Sequence, residues 1–129
     1  MYRSNNKRLG TEFEREMCDR LSALGYWVHF IVPDARGAQP FDIIAVKGTS
    51  ATAIDCKTSA RGSFPITRLE DNQIMAFELW IRCGNTNPLI AVKFNERIYR
   101  IPYWKLKNER SVKLTEDLLW HDVNNVILQ

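Results

Sequence analysis

Ala53-Ile54-Asp55-Cys56-Lys57, read together with Pro40-Phe41-Asp42 upstream, is the stretch on which the interpretation of this chain turns. Its β-branched and apolar residues predict an extended strand, in which successive side chains point to opposite faces. Asp55 and Lys57 then share one face, and Ile54 and Cys56 point the other way, into a core. Asp42-Ile43-Ile44-Ala45-Val46-Lys47 reads as a second strand, and Lys47-Gly48-Thr49-Ser50 as a tight turn into a third, Ala51 to Lys57. So short a connection predicts a hairpin. Asp42, at the mouth of one arm, can then reach the face that carries Asp55 and Lys57.

Working outward, Thr11 and Glu14 have the spacing of a capping box, in which a hydroxyl and a carboxylate satisfy free N–H groups at a helix start. Phe13, Met17, Leu21 and Leu24 follow at helical spacing, and Gly25 suits the C-terminal end. At roughly 100° per residue Glu14 falls between Leu21 and Cys18, on the inward side. An inward carboxylate is costly unless it meets a donor or a metal; completing the capping box is the plainer use for it. Tyr26 to Val32, aromatic and β-branched on both faces, predicts a strand lying centrally in a covered sheet. Its one polar member, His29, reads as a strand residue and not as a ligand. Residues 33–40 predict a loop, in which Arg36 beside Gly37 could approach a phosphate. Thr58 to Pro65 predicts a second loop, and Thr67 to Cys83 a second helix with its own capping box from Thr67 and Glu70. Pro88 to Phe94 and Arg97 to Ile101 predict two strands joined by an Asn95-Glu96 turn. Ser111 to Leu114 predicts a short edge strand, and Thr115 to Trp120 a short helix. The expected order is αβββαββ in one α/β domain spanning 1–129. Residues 1–9 form a basic arm, and 102–129 a C-terminal extension of no assigned role.

Composition is that of a globular protein: 45% hydrophobic and 26% charged, over 129 residues. A net charge of +3 is compatible with nucleic acid without demanding it. Cys18, Cys56 and Cys83 are scattered, with no CxxC pair, and read as reduced core thiols. No apolar run approaches the ~20 residues of a membrane span, so a soluble, cytoplasmic protein is expected.

Glu14, Asp42, Asp55 and Lys57 come from three of these predicted elements. Phosphodiester hydrolysis needs an activated water, neutralisation of charge growing on phosphate, and help for the leaving oxygen, all of which a divalent ion held by carboxylates supplies. Oxygen donors suit Mg²⁺, with Mn²⁺ able to substitute. Clustered carboxylates also repel, so the cluster itself argues for a bound cation. The backbone carbonyl of Cys56, between the two functional side chains, could add a ligand, and Lys57 could position water or stabilise the phosphorus. D-x-K alone is common by chance; the combination is far more specific.

Gly10-Thr11-Glu12-Phe13-Glu14-Arg15-Glu16, Pro40-Phe41-Asp42-Ile43-Ile44-Ala45 and Ile54-Asp55-Cys56-Lys57 resemble the PD-(D/E)xK nuclease superfamily. Within it they resemble the archaeal-type Holliday-junction resolvases, including viral relatives, from about Leu9 to Phe94. The resemblance implies a restriction-endonuclease-like core with a central mixed sheet flanked by helices. It implies Glu14, Asp42 and Asp55 as metal-binding catalytic acids with Lys57 beside them, and, from the bacterial type, Gln73 on the second helix. It further implies a homodimer acting on four-way DNA junctions, with Arg3, Lys7, Arg8, Arg36, Arg61 and Arg68 as phosphate contacts. Trp80, Trp104 and Trp120 are expected in the core or the dimer interface. Phe41 separates the Pro from the Asp, and the third acid is Asp where Glu is commoner. Two rival expectations stand beside a resolvase: a repair- or restriction-type nuclease acting on flaps, ends or specific sites, and a non-catalytic DNA-binding module on the same fold.

Overall fold

The computed structural model describes residues 11–32 and 39–129. The basic arm with Arg3, Lys7 and Arg8, and the loop residue Arg36, lie outside the described residues.

The first helix, α1 (Glu12–Ala23), starts as its capping box dictates. The Thr11 hydroxyl accepts from the Glu14 N–H at 3.2 Å, and the Glu14 carboxylate accepts from the Thr11 N–H at 2.9 Å. It stops where Gly25 takes a φ of +92°, a left-handed conformation that favours glycine. Phe13, Met17, Cys18 and Leu21 are its buried stripe.

Strands β1 (Trp27–Phe30), β2 (Ile43–Lys47) and β3 (Ser50–Thr58) follow, then a short β4 (Ser63–Pro65) and helix α2 (Asp71–Arg82). Next come β5 (Leu89–Phe94), β6 (Arg97–Pro102), α3 (Tyr103–Glu109), β7 (Ser111–Lys113) and α4 (His121–Asn124). The main sheet has five strands in the order β1-β2-β3-β5-β6. Only β3 and β5 run parallel, joined by the crossover that contains α2. The β2–β3 hairpin forms as expected, Lys47 opposite Ser50 and Ile43 opposite Ile54. The β5–β6 turn also falls at Asn95 and Glu96, with φ of 50° and 62°. Positive φ at both central positions matches the twist of a two-residue hairpin, at some steric cost for Glu96.

Two cores sandwich this sheet. Ile54 and Cys56 of β3 face the α1 side, with Met17, Leu21, Ile43 and Val123 of α4. Ala53 faces the other side, with Phe77 of α2 and Tyr103 and Leu106 of α3. Asp55 and Lys57, in phase with Ala53, therefore look toward α2.

Several expectations are corrected. The strand predicted over Tyr26 to Val32 is shorter and lies at the sheet edge, not centrally. Val28 and Phe30 pack toward α1, but Trp27 is 62% exposed and stacks on His29, ring centroids 6.0 Å apart. Trp27 and His29, both on the face away from α1, stack on one another instead of entering a core. The second helix begins at Asp71, not Thr67. Ile66–Arg68 form a 3₁₀ turn, pinned because the Ile66 N–H bonds the Arg110 carbonyl at 2.8 Å and Ile66 and Leu69 are buried. The predicted loop Thr58 to Pro65 contains β4, which pairs with β7 in a separate two-stranded sheet. Residues 103–109 form the unexpected α3, which Tyr103 and Leu106 hold in the core. The helix predicted over Thr115 to Trp120 is a 3₁₀ turn at Glu116–Leu118. Its chain then extends at Leu119 so that Leu119 and Trp120 bury against the sheet before α4 begins. Cys83 is exposed at the end of α2 and is no core thiol, whereas Cys18 and Cys56 are buried. Trp80 packs edge-on against Phe41, and Trp120 is core, but Trp104 is about half exposed.

Candidate active site

β3 carries Lys57 into a cleft of about 240 Å³ lined by Glu14, Gln39, Asp42, Lys57 and Gln73 among others, with Asp55 buried behind it. Asp55 is fully buried and Asp42 nearly so. Asp42 leads into β2: its N–H bonds the Ile54 carbonyl at 3.1 Å and its carbonyl accepts from the Ile31 N–H at 2.8 Å. That pairing fixes its side chain against the next strand, where Asp42 Oδ2 accepts from the Cys56 N–H at 2.7 Å. Asp42 Oδ1 accepts from the side-chain amide of Gln39.

Gln73 joins the helix to the strand. Its Nε2 donates to Asp55 Oδ1 at 3.0 Å, and its Oε1 accepts from Lys57 Nζ at 3.2 Å and from the Glu70 N–H at 3.0 Å. A single amide thus caps α2 and ties the acid and the lysine of the D-x-K motif together. Lys57 Nζ also lies 3.4 Å from Asp55 Oδ2. That oxygen is buried without a hydrogen-bond partner. A carboxylate oxygen in that condition is costly unless a cation completes its surroundings.

Burial pushes the Asp42 carboxyl up to about 8, and the neighbouring Asp55 charge adds to the rise, outweighing the Cys56 N–H bond. Burial also raises Asp55, against the opposing pull of Lys57. Glu14 is raised, by burial first and by Asp42 second. All three acids are shifted toward the protonated form, by burial above all, with Lys57 opposing the shift in each case. By contrast Cys18 is pushed up to about 12 by burial, and Cys56 is raised by burial too. These thiols stay neutral, leaving Cys56 only its main-chain groups as possible contributions.

The sequence-predicted residues thus divide. Asp42, Asp55, Lys57 and Gln73 come together directly, and Glu14 lines the same cleft. Its carboxylate is turned back on the Thr11 N–H, and among the described residues no three His, Cys, Asp or Glu side chains converge as an assembled ion site. The donor chemistry still fits a hard cation: carboxylate oxygens, one of them buried and unpartnered, beside an ammonium. Arg68 lies on the flank. Its guanidinium donates to the Thr58 carbonyl at 2.9 Å, sits 5.2 Å from the centre of the Phe64 ring, and borders a second cleft shared with Glu14 and Lys57. Arg61 is exposed further along that flank. Sequence reasoning missed Gln39 and Asn72. Asn72 donates to the Gln39 carbonyl at 2.8 Å, so the start of α2 holds the residue that holds Asp42. The signal available was positional: a polar amide next to Pro40 at the mouth of the acidic strand.

Comparison with known proteins bears on the family and the fold. Residues 5–122 match the family model described as archaeal Holliday junction resolvase (Hjc), well beyond the Leu9 to Phe94 span of the motifs. The crossover junction endodeoxyribonuclease Hjc of Methanocaldococcus jannaschii is 27% identical over 110 residues, covering 84% of this chain and 77% of that one. The crystallographic Hjc of Archaeoglobus fulgidus superposes with a TM-score of 0.62 at 21% identity, covering 84% of this chain and 89% of that one. The mixed sheet flanked by helices is the restriction-endonuclease-like α/β core that the motifs implied. Among the described residues no helix is long and apolar enough to cross a membrane. With most of its length matched, this chain belongs to the archaeal Holliday junction resolvase (Hjc) family.

Proposed function

We propose that this chain is a divalent-metal-dependent endonuclease that cuts four-way DNA junctions as a homodimer, within the family to which it belongs. The observation that carries the reading is Asp55: fully buried, bound through one oxygen to Gln73, and left with its other oxygen unpartnered beside Lys57 and across from Asp42. The Lys57 ammonium faces that oxygen at 3.4 Å, beyond a close charge-assisted hydrogen bond, so the carboxylate keeps donor capacity for a cation. Asp42 and Asp55 would hold the ion, with Glu14 joining once its carboxylate leaves the helix cap, and the Cys56 carbonyl adding a main-chain oxygen. The ion, Mg²⁺ with Mn²⁺ as substitute, would supply an acidified water and neutralise charge on the phosphate.

The chain's own residues do the rest. Lys57, held by the Gln73 Oε1, keeps its ammonium aimed into the cleft, where it stabilises charge building on the phosphorus oxygens. Gln73 fixes Lys57 and Asp55 relative to each other. Gln39 and the Cys56 N–H fix both oxygens of Asp42. A two-fold dimer suits a substrate with two-fold symmetry, since each copy of the site then addresses an equivalent strand.

The decisive measurement is cleavage of synthetic four-way junctions, against flap, nicked and linear duplexes, with and without Mg²⁺. Paired nicks in the junction alone, and only with the ion, are expected. Asp55→Asn or Lys57→Ala proteins that cut as fast as the parent would overturn the assignment.

A further inference from the structure

Through β7, the C-terminal segment completes a ledge beside the catalytic cleft. Strand β7 pairs antiparallel with β4, Ser63 opposite Lys113, Phe64 opposite Val112 and Pro65 opposite Ser111. Directly opposed residues share a face. Phe64 and Val112 turn inward and are buried, so the outward face presents Ser63, Ser111 and the exposed Lys113. Ser59, Arg61 and Arg68 join Ser63 and Ser111 around a cleft of about 350 Å³. Its geometry is partly fixed in advance. The Ser59 hydroxyl accepts from the Arg61 N–H at 3.1 Å and donates to the Arg61 carbonyl at 2.7 Å, and the Arg68 guanidinium is anchored on the Thr58 carbonyl and the Phe64 ring. Among the described residues no salt bridge engages Arg61, Arg68 or Lys113, in contrast to Arg97 with Glu116, Lys105 with Glu109 and Lys107 with Glu78.

Cations with no carboxylate partner among the described residues, beside the Ser63 and Ser111 hydroxyls, form a receptor for an anion with several oxygens. The geometry points to a second phosphate site: the β4–β7 ledge grips a DNA backbone phosphate neighbouring the one at the Asp55–Lys57 cleft. Arg68, which borders both clefts, spans them. This inference rests on the nuclease reading and adds to it a function for the C-terminal segment. The ledge sets where the strand lies; it takes no part in bond cleavage.

The test is binding of a fluorescent four-way junction by the full-length protein in EDTA, titrated over a range of salt. Arg61→Ala and Lys113→Ala each remove one ledge cation from an exposed position. Each is expected to weaken binding and to shrink the slope of log K against log salt by about 1, as for a lost phosphate contact. The doubly substituted protein should lose about twice as much slope. With Mg²⁺ the variants should need more substrate to reach the parental rate, while the rate at saturation holds. Arg97→Ala, which removes a cation already paired with Glu116, is expected to leave the slope unchanged. If the parent binds and cuts junctions but the ledge variants keep its salt slope, or if Arg97→Ala reduces it equally, the ledge is no phosphate site. If the parent cuts no DNA substrate with Mg²⁺, the underlying nuclease reading fails instead.

Discussion

Helices α1 and α2 deliver their first turns to the same cleft, and in each the third helical residue does two jobs. In α1 that residue is Glu14, whose carboxylate caps Thr11 and borders the site. In α2 it is Gln73, whose amide accepts from the Glu70 N–H and bridges Asp55 to Lys57. One helix contributes a charge and the other a neutral group. The neutral group can be buried with every contact made, whereas the charged one is only half-buried and its pKa is raised by desolvation and by Asp42. The difference teaches how the cleft is organised. α2 provides a finished clamp on the catalytic strand, and α1 provides a group still committed to its own helix.

The sharpest way to break this picture is to remove what the clamp holds. Lys57→Ala should lower junction cleavage by about 10²–10³-fold, the usual loss for a group that stabilises developing charge. Asp55→Asn should lower it at least as far, while both proteins still bind junction DNA in EDTA. Measured cleavage rates at saturating Mg²⁺ check both.

The crowded acids predict a pH dependence of stability in the metal-free protein. The Asp42 carboxyl stands at about 8 in the folded chain against an ordinary 3.8, so the folded state holds that proton more tightly than the unfolded state. The resulting stabilisation is complete below about pH 4 and is lost as pH rises through about 8. Thermal melts in EDTA should therefore fall between about pH 5 and pH 9. Asp42→Asn should flatten that decline, and added Mg²⁺ should reverse it if the acids bind the ion.

Gln73→Ala tests the clamp itself. A residue that orients catalytic groups without touching the substrate typically contributes about 10–100-fold. Its loss also leaves Asp55 Oδ1 buried without a donor, at about 1–3 kcal/mol. Gln73→Glu should fail to rescue activity, because it brings another negative charge to Asp55; activity at the parental level in either variant would remove Gln73 from the site.

Much of this was legible beforehand, for identifiable reasons. The β2–β3 hairpin, the α1 cap and the inward and outward alternation of Ile54, Asp55, Cys56 and Lys57 all depend on neighbours in sequence, where periodicity and capping chemistry act directly. What escaped depends on distant partners. β4 exists because Ser111–Lys113 lies alongside it, and α2 starts one turn late because Arg110 and the core pin Ile66. A local rule cannot see either partner. The edge position of β1 was hidden in the same way: an apolar strand reads as central until the sheet order gives it a partner in β2 alone among the described strands. In the site, Glu14 was placed on the correct side by its helical phase. Its contact with the Thr11 N–H was legible too, from the capping-box spacing of Thr11 and Glu14 at the first turn of α1.

The smallest expected effect isolates that turn. Thr11→Ala removes the hydroxyl that accepts from the Glu14 N–H but leaves the Thr11 N–H to which the Glu14 carboxylate is bound. Loss of such a cap costs about 1 kcal/mol, which should lower the melting temperature by a few degrees. If capping and ion binding are separate uses of Glu14, cleavage at saturating Mg²⁺ should stay close to the parental rate while stability falls. Glu14→Gln should show the opposite balance, because the amide oxygen can still accept from Thr11 but the negative charge is gone. A cleavage loss in Thr11→Ala as deep as that in Glu14→Gln would mean that the cap positions the carboxylate for the ion. The two helices would then work alike, with the α1 cap serving as a clamp just as Gln73 does.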